Sequence, residues 1–396
     1  FKQKTAYEIS LGLVGSEMCI RDRLNPVKVG IYSRLCIFYI GVFSRRIDSM
    51  GLGPGEHEVR KLQSTGGSTF TVSLPKPWVT EQRLLARDSL RVDWRPSGAL
   101  RITPLNMAQR LEKRVSFDVQ NLPEESLHDH LMGAYISGAD LITTYFPQKM
   151  KKSTSTQIRR FLRSTRGFEI YEELEESVVL KCLMNAGDMP LHASLNRMYL
   201  QVTSLLRDIV SVFEGEDRDY LSDAEERESE VDALLYLIER QVRILLDSHL
   251  VATKLNLSRT QALEYTNLAR SLERMMDHAY TMSQLVLDNP NITDSPAGRV
   301  SLKQIPEWQS ALKELMINIR TRDSARIEHA RKKLKEAQQI MQSHEQDLLA
   351  NRRQSEWMAF DLSLSESVRR LCAYSRDFGE ILLNMKVFTE IQNSKP

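Results

Sequence analysis

The sequence predicts a multidomain protein: a β module of two hairpins, a small α/β domain, and an all-α bundle in two halves. Three observations carry that prediction. Apolar and polar residues alternate with a period of two in the stretch from Glu58 to Pro104; short β-like and helix-like runs mix between residues 111 and 185; and beyond Pro190 long stretches carry apolar residues at helical spacing. A chain of 396 residues has material for two or three cores, because single cores stop growing near ~250 residues.

Residues 1–49 are set aside from the fold. Residues 1–22, FKQKTAYEISLGLVGSEMCIRD, look like translated adapter read-through at the end of an assembled reading frame, and Met50 is the preferred start. A signal or membrane anchor is the rival reading. The apolar run from Leu35 to Phe43 falls well short of the roughly 20 residues a span needs, and Arg34, Arg45 and Arg46 bound it closely.

Residues 50–105 read as the β module. VRKLQ, Gly66-Gly67 and STFTVSLP form a hairpin in which Phe70, Val72 and Leu74 share a face. Pro75-Lys76-Pro77 opens a short helix reaching Leu85, because proline suits the first helical turn. In the second hairpin Leu90, Val92 and Trp94 alternate with Arg91, Asp93 and Arg95; Pro96-Ser97-Gly98 turns the chain and ALRIT returns it. Two hairpins this short bury no core, so two chains must interlock as a homodimer.

Residues 106–188 read as a connecting α/β domain. VSFDV and LITTYF are strands, PEESLHDHLMGAYISG and STSTQIRRFLRSTR helices, and FEIYEEL with SVVLKCL a further strand pair. Gly133 and Gly138 make no phosphate loop, because neither GxxxxGK nor GxGxxG occurs there.

Helical spacing then takes over, as in Leu195, Met198, Val202, Leu205, Ile209 and Val212. Breaks at Glu214 to Asp223, near Asn256 to Ser258, and across Asp288 to Pro306 divide the bundle into residues 189–289 and 290–396, each with three long helices. The acidic run from Glu214 to Asp232 reads as a solvated turn between helices.

Charge narrows the function classes. Fifty-four basic residues nearly balance 52 acidic ones, so any nucleic-acid contact must be local. Cys19, Cys36, Cys182 and Cys372 show no metal-like spacing, which fits a reducing, cytoplasmic setting with Cys182 and Cys372 as buried thiols. No nucleophile, base and orienting group occur with local support, and the sole Glu-x-x-His, Glu125 to His128, lies outside the bundle. The expectation is a protein that is not an enzyme.

Two pairs of carboxylates stand out. Glu228 and Asp232 in ESEVD, and Glu273 and Asp277 in LERMMDHAYTM, are each four apart and so share a helix face. Both border apolar stripes. Converging anions near an apolar surface repel, and need a cation or water. A multivalent metal would satisfy them; pairing with Arg227, Arg240, Arg270 or Arg274 is the alternative.

LERMMDHAYTM and ESEVD resemble the paired ExxxD motifs of PhoU helices, and the resemblance extends over residues 190–396 as two three-helix repeats. It implies a divalent or ferric metal cluster (Fe, Zn, Mn or Mg) at Glu228, Asp232, Glu273 and Asp277, and a role in restraining phosphate uptake and the phosphate response. The second repeat departs from the pattern, with Ser343, Arg369 and Ala373 where carboxylates are expected, so a cluster there is not expected. The segment from Val59 to Pro104 similarly resembles the swapped-hairpin AbrB/SpoVT DNA-binding module, and this order of modules resembles archaeal PhoU-like regulators. That resemblance implies a swapped dimer contacting DNA through Arg60, Lys61, Lys76, Arg83, Arg87, Arg91, Arg95 and Arg101. These eight face five acidic residues in 50–105, a net +3. The expected function is a cytoplasmic, DNA-binding transcriptional regulator of phosphate homeostasis. The alternative is an adaptor that docks on a phosphate ABC transporter or sensor kinase and uses the hairpins only to dimerise.

Overall fold

The computed structural model describes residues 59–67, 69–94, 99–105, 112–147, 150–289, 298–350 and 357–393. The expectations for residues 1–49, the start at Met50, Cys19, Cys36 and Arg95 lie outside these. The chain divides into two compact units, residues 1–111 and 112–396.

In the first unit, β1 (Gln63–Thr65) pairs antiparallel with β2 (Thr69–Thr71), α1 spans Lys76–Glu81, and β3 (Leu90–Trp94) pairs antiparallel with β4 (Leu100–Pro104). Gly66 and Gly67 turn the first hairpin with φ of 69° and 82°, values that favour glycine. Helix α1 ends four residues earlier than the sequence predicts. Arg83 adopts a left-handed φ of 50° and Leu84 N–H donates to the Val79 carbonyl at 3.0 Å, which closes the helix as a left-handed C-terminal turn does. Val59, Leu62, Phe70, Leu85, Val92 and Leu100 are all exposed, so the hairpins gather no core of their own.

The second unit begins with a four-stranded sheet in the order β5-β6-β8-β7. Strands β5 (Arg114–Asp118) and β6 (Leu141–Tyr145) are parallel, and β7 (Phe168–Glu173) and β8 (Ser177–Cys182) complete the sheet antiparallel. Helices α2 (Leu127–Ile136) and α3 (Lys152–Ser164) pack Leu131, Tyr135, Ile158 and Phe161 against Ile142, Phe168 and Leu180 of the sheet. Cys182 is only partly buried, against the expectation. It ends β8, where its thiol donates to the Met184 carbonyl at 3.5 Å.

The bundle follows as α4 (Leu191–Phe213), α5 (Ala224–Asp247), the short α6 (His249–Leu255), α7 (Arg259–Asp288), the single turn α8 (Arg299–Leu302), α9 (Ile305–Thr321), α10 (Ser324–Ala350) and α11 (Met358–Asn393). Asn256 closes α6 at a φ of 53°, and Ser258 with Gln261 forms a capping box that opens α7. Helix α7 packs on α4, α5 and α11, and α11 packs on α9 and α10, so one apolar core runs through both halves. Trp308 in α9 is fully buried; its indole N–H donates to the Leu371 carbonyl (3.1 Å) and the Ser375 hydroxyl (2.8 Å) of α11. Among the described residues no helix is long and apolar enough to cross a membrane.

A buried arginine fixes the α/β domain on the bundle. Arg240 of α5 lies over the Tyr135 and Phe168 rings (5.1 and 5.3 Å to their centroids), donates to the Tyr135 carbonyl at 2.8 Å and reaches Asp140 at 3.4 Å. Gly138 sits at the same junction. Its φ is 88°, and an added Cβ would meet Ile244 Cγ1 of α5 at 2.9 Å.

Candidate functional site

Glu228 and Asp232 stand on α5, and Glu273 and Asp277 on α7, where the two helices pack together. Their faces are set by Val231, Leu235 and Ile238 of α5 and Leu272, Met276 and Ala279 of α7, all buried in the core. With those residues turned inward, Asp232, Glu273 and Asp277, each one position after a core residue, and Glu228, one helical turn before Asp232, fall at the rim of the interface. Glu228, Asp232 and Glu273 are half-buried and Asp277 is exposed.

The arginines that the sequence offers as partners are committed elsewhere. Arg227 pairs with Asp208 (2.5 Å) and Asp223 (2.9 Å), Arg270 with Glu239 (2.7 Å), and Arg240 with Asp140; Arg274 lies 5.6 Å from the centre of the Tyr374 ring. Among the described residues none of the four carboxylates is ion-paired. Each is therefore held above its ordinary carboxylate range. Burial and then the Glu228 and Asp277 charges push Asp232 up to about 6; burial, Asp277 and Asp232 push Glu273 up to about 7, against a weaker pull from Arg274. Glu228 is raised by burial and Asp277, and Asp277 by burial against the opposing pull of His278 and Arg274. Burial and mutual repulsion thus bring Asp232 and Glu273 closer to neutral pH than ordinary carboxyls.

Oxygen donors of this kind suit hard or borderline cations. Their placement does not make a chelating set: among the described residues no group of three or more His, Cys, Asp or Glu side chains is so arranged that it could hold a metal ion. The donor chemistry fits a metal and the side-chain geometry does not.

Two neighbours bear on this face: His278, which the sequence already places next to Asp277, and Glu230, which it did not single out. His278 lies near Tyr374 of α11 (ring centres 5.8 Å apart), and burial with Arg370 lowers its pKa. Glu230, two residues from each member of the α5 pair, faces another way: it meets Arg197 and Gln201 of α4, and Arg166 of the α/β domain at 3.7 Å. Helical spacing separates Glu230 from the acidic face, yet only tertiary structure supplies its partners.

In the second half, Arg369 of α11 meets Glu345 of α10 at 3.1 Å and Glu366 at 3.5 Å, and the Ser365 hydroxyl donates to Glu345 at 3.3 Å. Arg370 also meets Glu366 at 3.5 Å, so two internal cations stand against the two carboxylates of this face.

The residues proposed for DNA contact fall into two groups. Arg91 and Arg101 both pair with Asp93 (2.7 and 3.4 Å), and Arg60 donates to the Ser73 hydroxyl at 3.4 Å. Lys61, Lys76, Arg83 and Arg87 are exposed and make no ion pair among the described residues. Arg83 and Arg87 follow α1 with left-handed φ values of 50° and 80°, in a turn closed by the Asp88 carboxylate accepting from Leu85 N–H at 2.7 Å.

Comparison with known families adds one match. Residues 195–286 match the PhoU domain, a stretch that runs from within α4 to the end of α7 and holds all four carboxylates. No family match supports an AbrB-type domain in residues 50–105, and no curated protein matches the chain. The PhoU match sits within an all-helical C-terminal region, and it supports a regulator of phosphate homeostasis.

Proposed function

We propose that this protein is a cytoplasmic, dimeric regulator of phosphate homeostasis in which the PhoU-type helices sense and the hairpin module acts on DNA as a transcriptional regulator. The observation that carries the sensing half is the PhoU match over residues 195–286, whose packed α5–α7 rim presents four carboxylates without an ion pair among the described residues. The two sets of three long helices support reading residues 189–289 and 290–396 as two repeats. The exposed apolar residues of both hairpins support a swapped homodimer, since a second copy would cover Phe70, Val92 and Leu100. Lys61, Lys76, Arg83 and Arg87 are the cations such a dimer would offer to phosphates. No bond-making step is required.

Fluorescence-anisotropy titration of promoter fragments upstream of phosphate-uptake genes, at several salt concentrations, tests the DNA arm. The expected result is specific binding that weakens steeply with salt and is lost in the double variant Arg83→Glu/Arg87→Glu while the helical signal stays intact. Binding no stronger than to scrambled competitor overturns it. That result favours the adaptor reading, docking on a phosphate transporter or sensor kinase, which the Asp93 pairing of Arg91 and Arg101 already supports.

The resident ion is the second arm. A divalent or ferric ion held by Glu228, Asp232, Glu273 and Asp277 is supported by their donor chemistry and, among the described residues, their lack of arginine ion pairs, and opposed by the absence among those residues of a chelating arrangement. Elemental analysis decides: iron, zinc or manganese retained by the purified chain and lost in Glu273→Ala/Asp277→Ala supports the ion, and equal content in both removes it.

A further inference from the structure

The α/β domain contains a cavity of about 590 Å³ at the carboxyl ends of the parallel strands β5 and β6, between the starts of α2 and α3. That is within the range of small-molecule sites, and the carboxyl edge of parallel strands is where open α/β sheets bind ligands. Its two helix ends are unlike in charge. Helix α2 carries acids at its positive end, Glu124, Glu125 and Asp129; its N-cap Ser126 makes no side-chain cap, but His128 N–H donates to the Gln157 side chain at 3.1 Å. The same bond ties α2 to α3.

Helix α3 has the opposite character. Lys151 is its N-cap and Lys152 its first residue, no side chain caps it, and its first turn has no acid, so two cationic residues stand at the positive end of the dipole. Among the described residues, the Lys152, Ser153 and Thr154 N–H groups have no acceptor. Thr154 lines the cavity at 7% exposure, and its hydroxyl likewise has no partner among the described residues. A hydroxyl that lines the cavity without a protein partner, beside an uncapped, like-charged helix end, is a place that an anion completes.

Glu124 and Glu125 form the opposite lip, and Leu122, Leu127, Phe146 and Met150 supply an apolar wall. Two carboxylates and that wall disfavour a bare inorganic anion. They favour a molecule that carries both charges and an apolar body. We propose that this cavity binds a small zwitterion of the amino-acid class with an apolar side chain. Its carboxylate meets the start of α3 and the Thr154 hydroxyl, and its ammonium group meets Glu124 and Glu125. The site stands apart from the carboxylate face of the bundle, so its test is independent of the phosphate reading.

Isothermal titration calorimetry of the full chain with L-leucine, L-methionine and L-phenylalanine provides the test. Saturable binding of at least one is expected. It should weaken at least about tenfold in Thr154→Val and in Lys151→Glu, and be lost for the N-acetyl and methyl ester derivatives, which lack one charge each. The melting temperature of Thr154→Val should match the parent, and that of Lys151→Glu should match or exceed it, because an acid suits that helix end. No saturable heat with any of the three up to about 10 mM overturns the proposal, since affinity weaker than that is negligible. So does binding undiminished in both variants, equal binding of the derivatives, or binding of inorganic phosphate in their place.

Discussion

The two halves of the bundle handle acidic residues in opposite ways. On α5 and α7, Glu228, Asp232, Glu273 and Asp277 gather with no ion pair among the described residues, and burial with mutual repulsion pushes Asp232 up to about 6 and Glu273 up to about 7. On α10 and α11, Arg369 stands against Glu345 and Glu366 and cancels the repulsion internally. Similar helices thus hold an acidic face with raised carboxyl pKa values in one half and an ion-paired one in the other. The second face is built for stability. The first gives up stability for charge that a ligand, proton or partner can meet.

Reversing the neutral face should break the comparison most strongly. Arg369→Glu places a third carboxylate beside Glu345 and Glu366, with the half-buried Glu345 losing its partner. The expected cost at pH 8 is about 3 kcal/mol, read by thermal or urea unfolding and largely recovered near pH 5, where protonation removes the repulsion.

The acidic face should respond in the opposite direction. A carboxyl whose folded pKa lies above its unfolded value binds its proton more tightly when folded. Its stabilising contribution is therefore complete below the unfolded pKa and is lost as pH rises through the folded one. For Asp232 and Glu273 that window runs from about 4 to about 7. Parent protein should lose stability across it. Glu273→Gln should flatten the profile and gain on the order of 1 kcal/mol at pH 8 after solvent screening, or about 2–4 °C in melting temperature.

A smaller effect sharpens the boundary of the acidic face. Glu230 lies among the four in sequence, yet it already meets Arg197 and Arg166. Glu230→Gln should leave the pH profile of stability unchanged in shape and lower stability by about 1 kcal/mol or less, as for other partly exposed ion pairs. A flattened profile would place Glu230 within the coupled group.

Much of this was legible in the sequence. Sequence pattern placed seven of the eight strands among the described residues, and helical spacing with breaks at Glu214, Asn256 and Asp288 placed the long helices, because local periodicity and capping carry that information; β1 starts at Gln63, later than the VRKLQ run predicts. The spacing of Glu228 with Asp232 and of Glu273 with Asp277 put each pair on one face. What it left open was whether arginines neutralise them. That depended on Asp208, Glu239, Asp140 and Tyr374, partners up to a hundred residues away that claim the four arginines. The α3 cavity was hidden for the same reason: KKSTSTQ reads only as a helix start until β5, β6 and α2 close around it. The end of α1 was missed because no glycine marked the left-handed turn at Arg83.

The most direct measurement is the titration of the Glu273 side-chain carboxyl by carbon NMR in the full-length protein, with Glu273→Gln to assign the signal. The account predicts a midpoint near 7, moving down when Asp277 is neutralised by Asp277→Asn. A midpoint at the ordinary glutamate value of about 4.3, unmoved by that change, would contradict it and leave the first half no different in kind from the second.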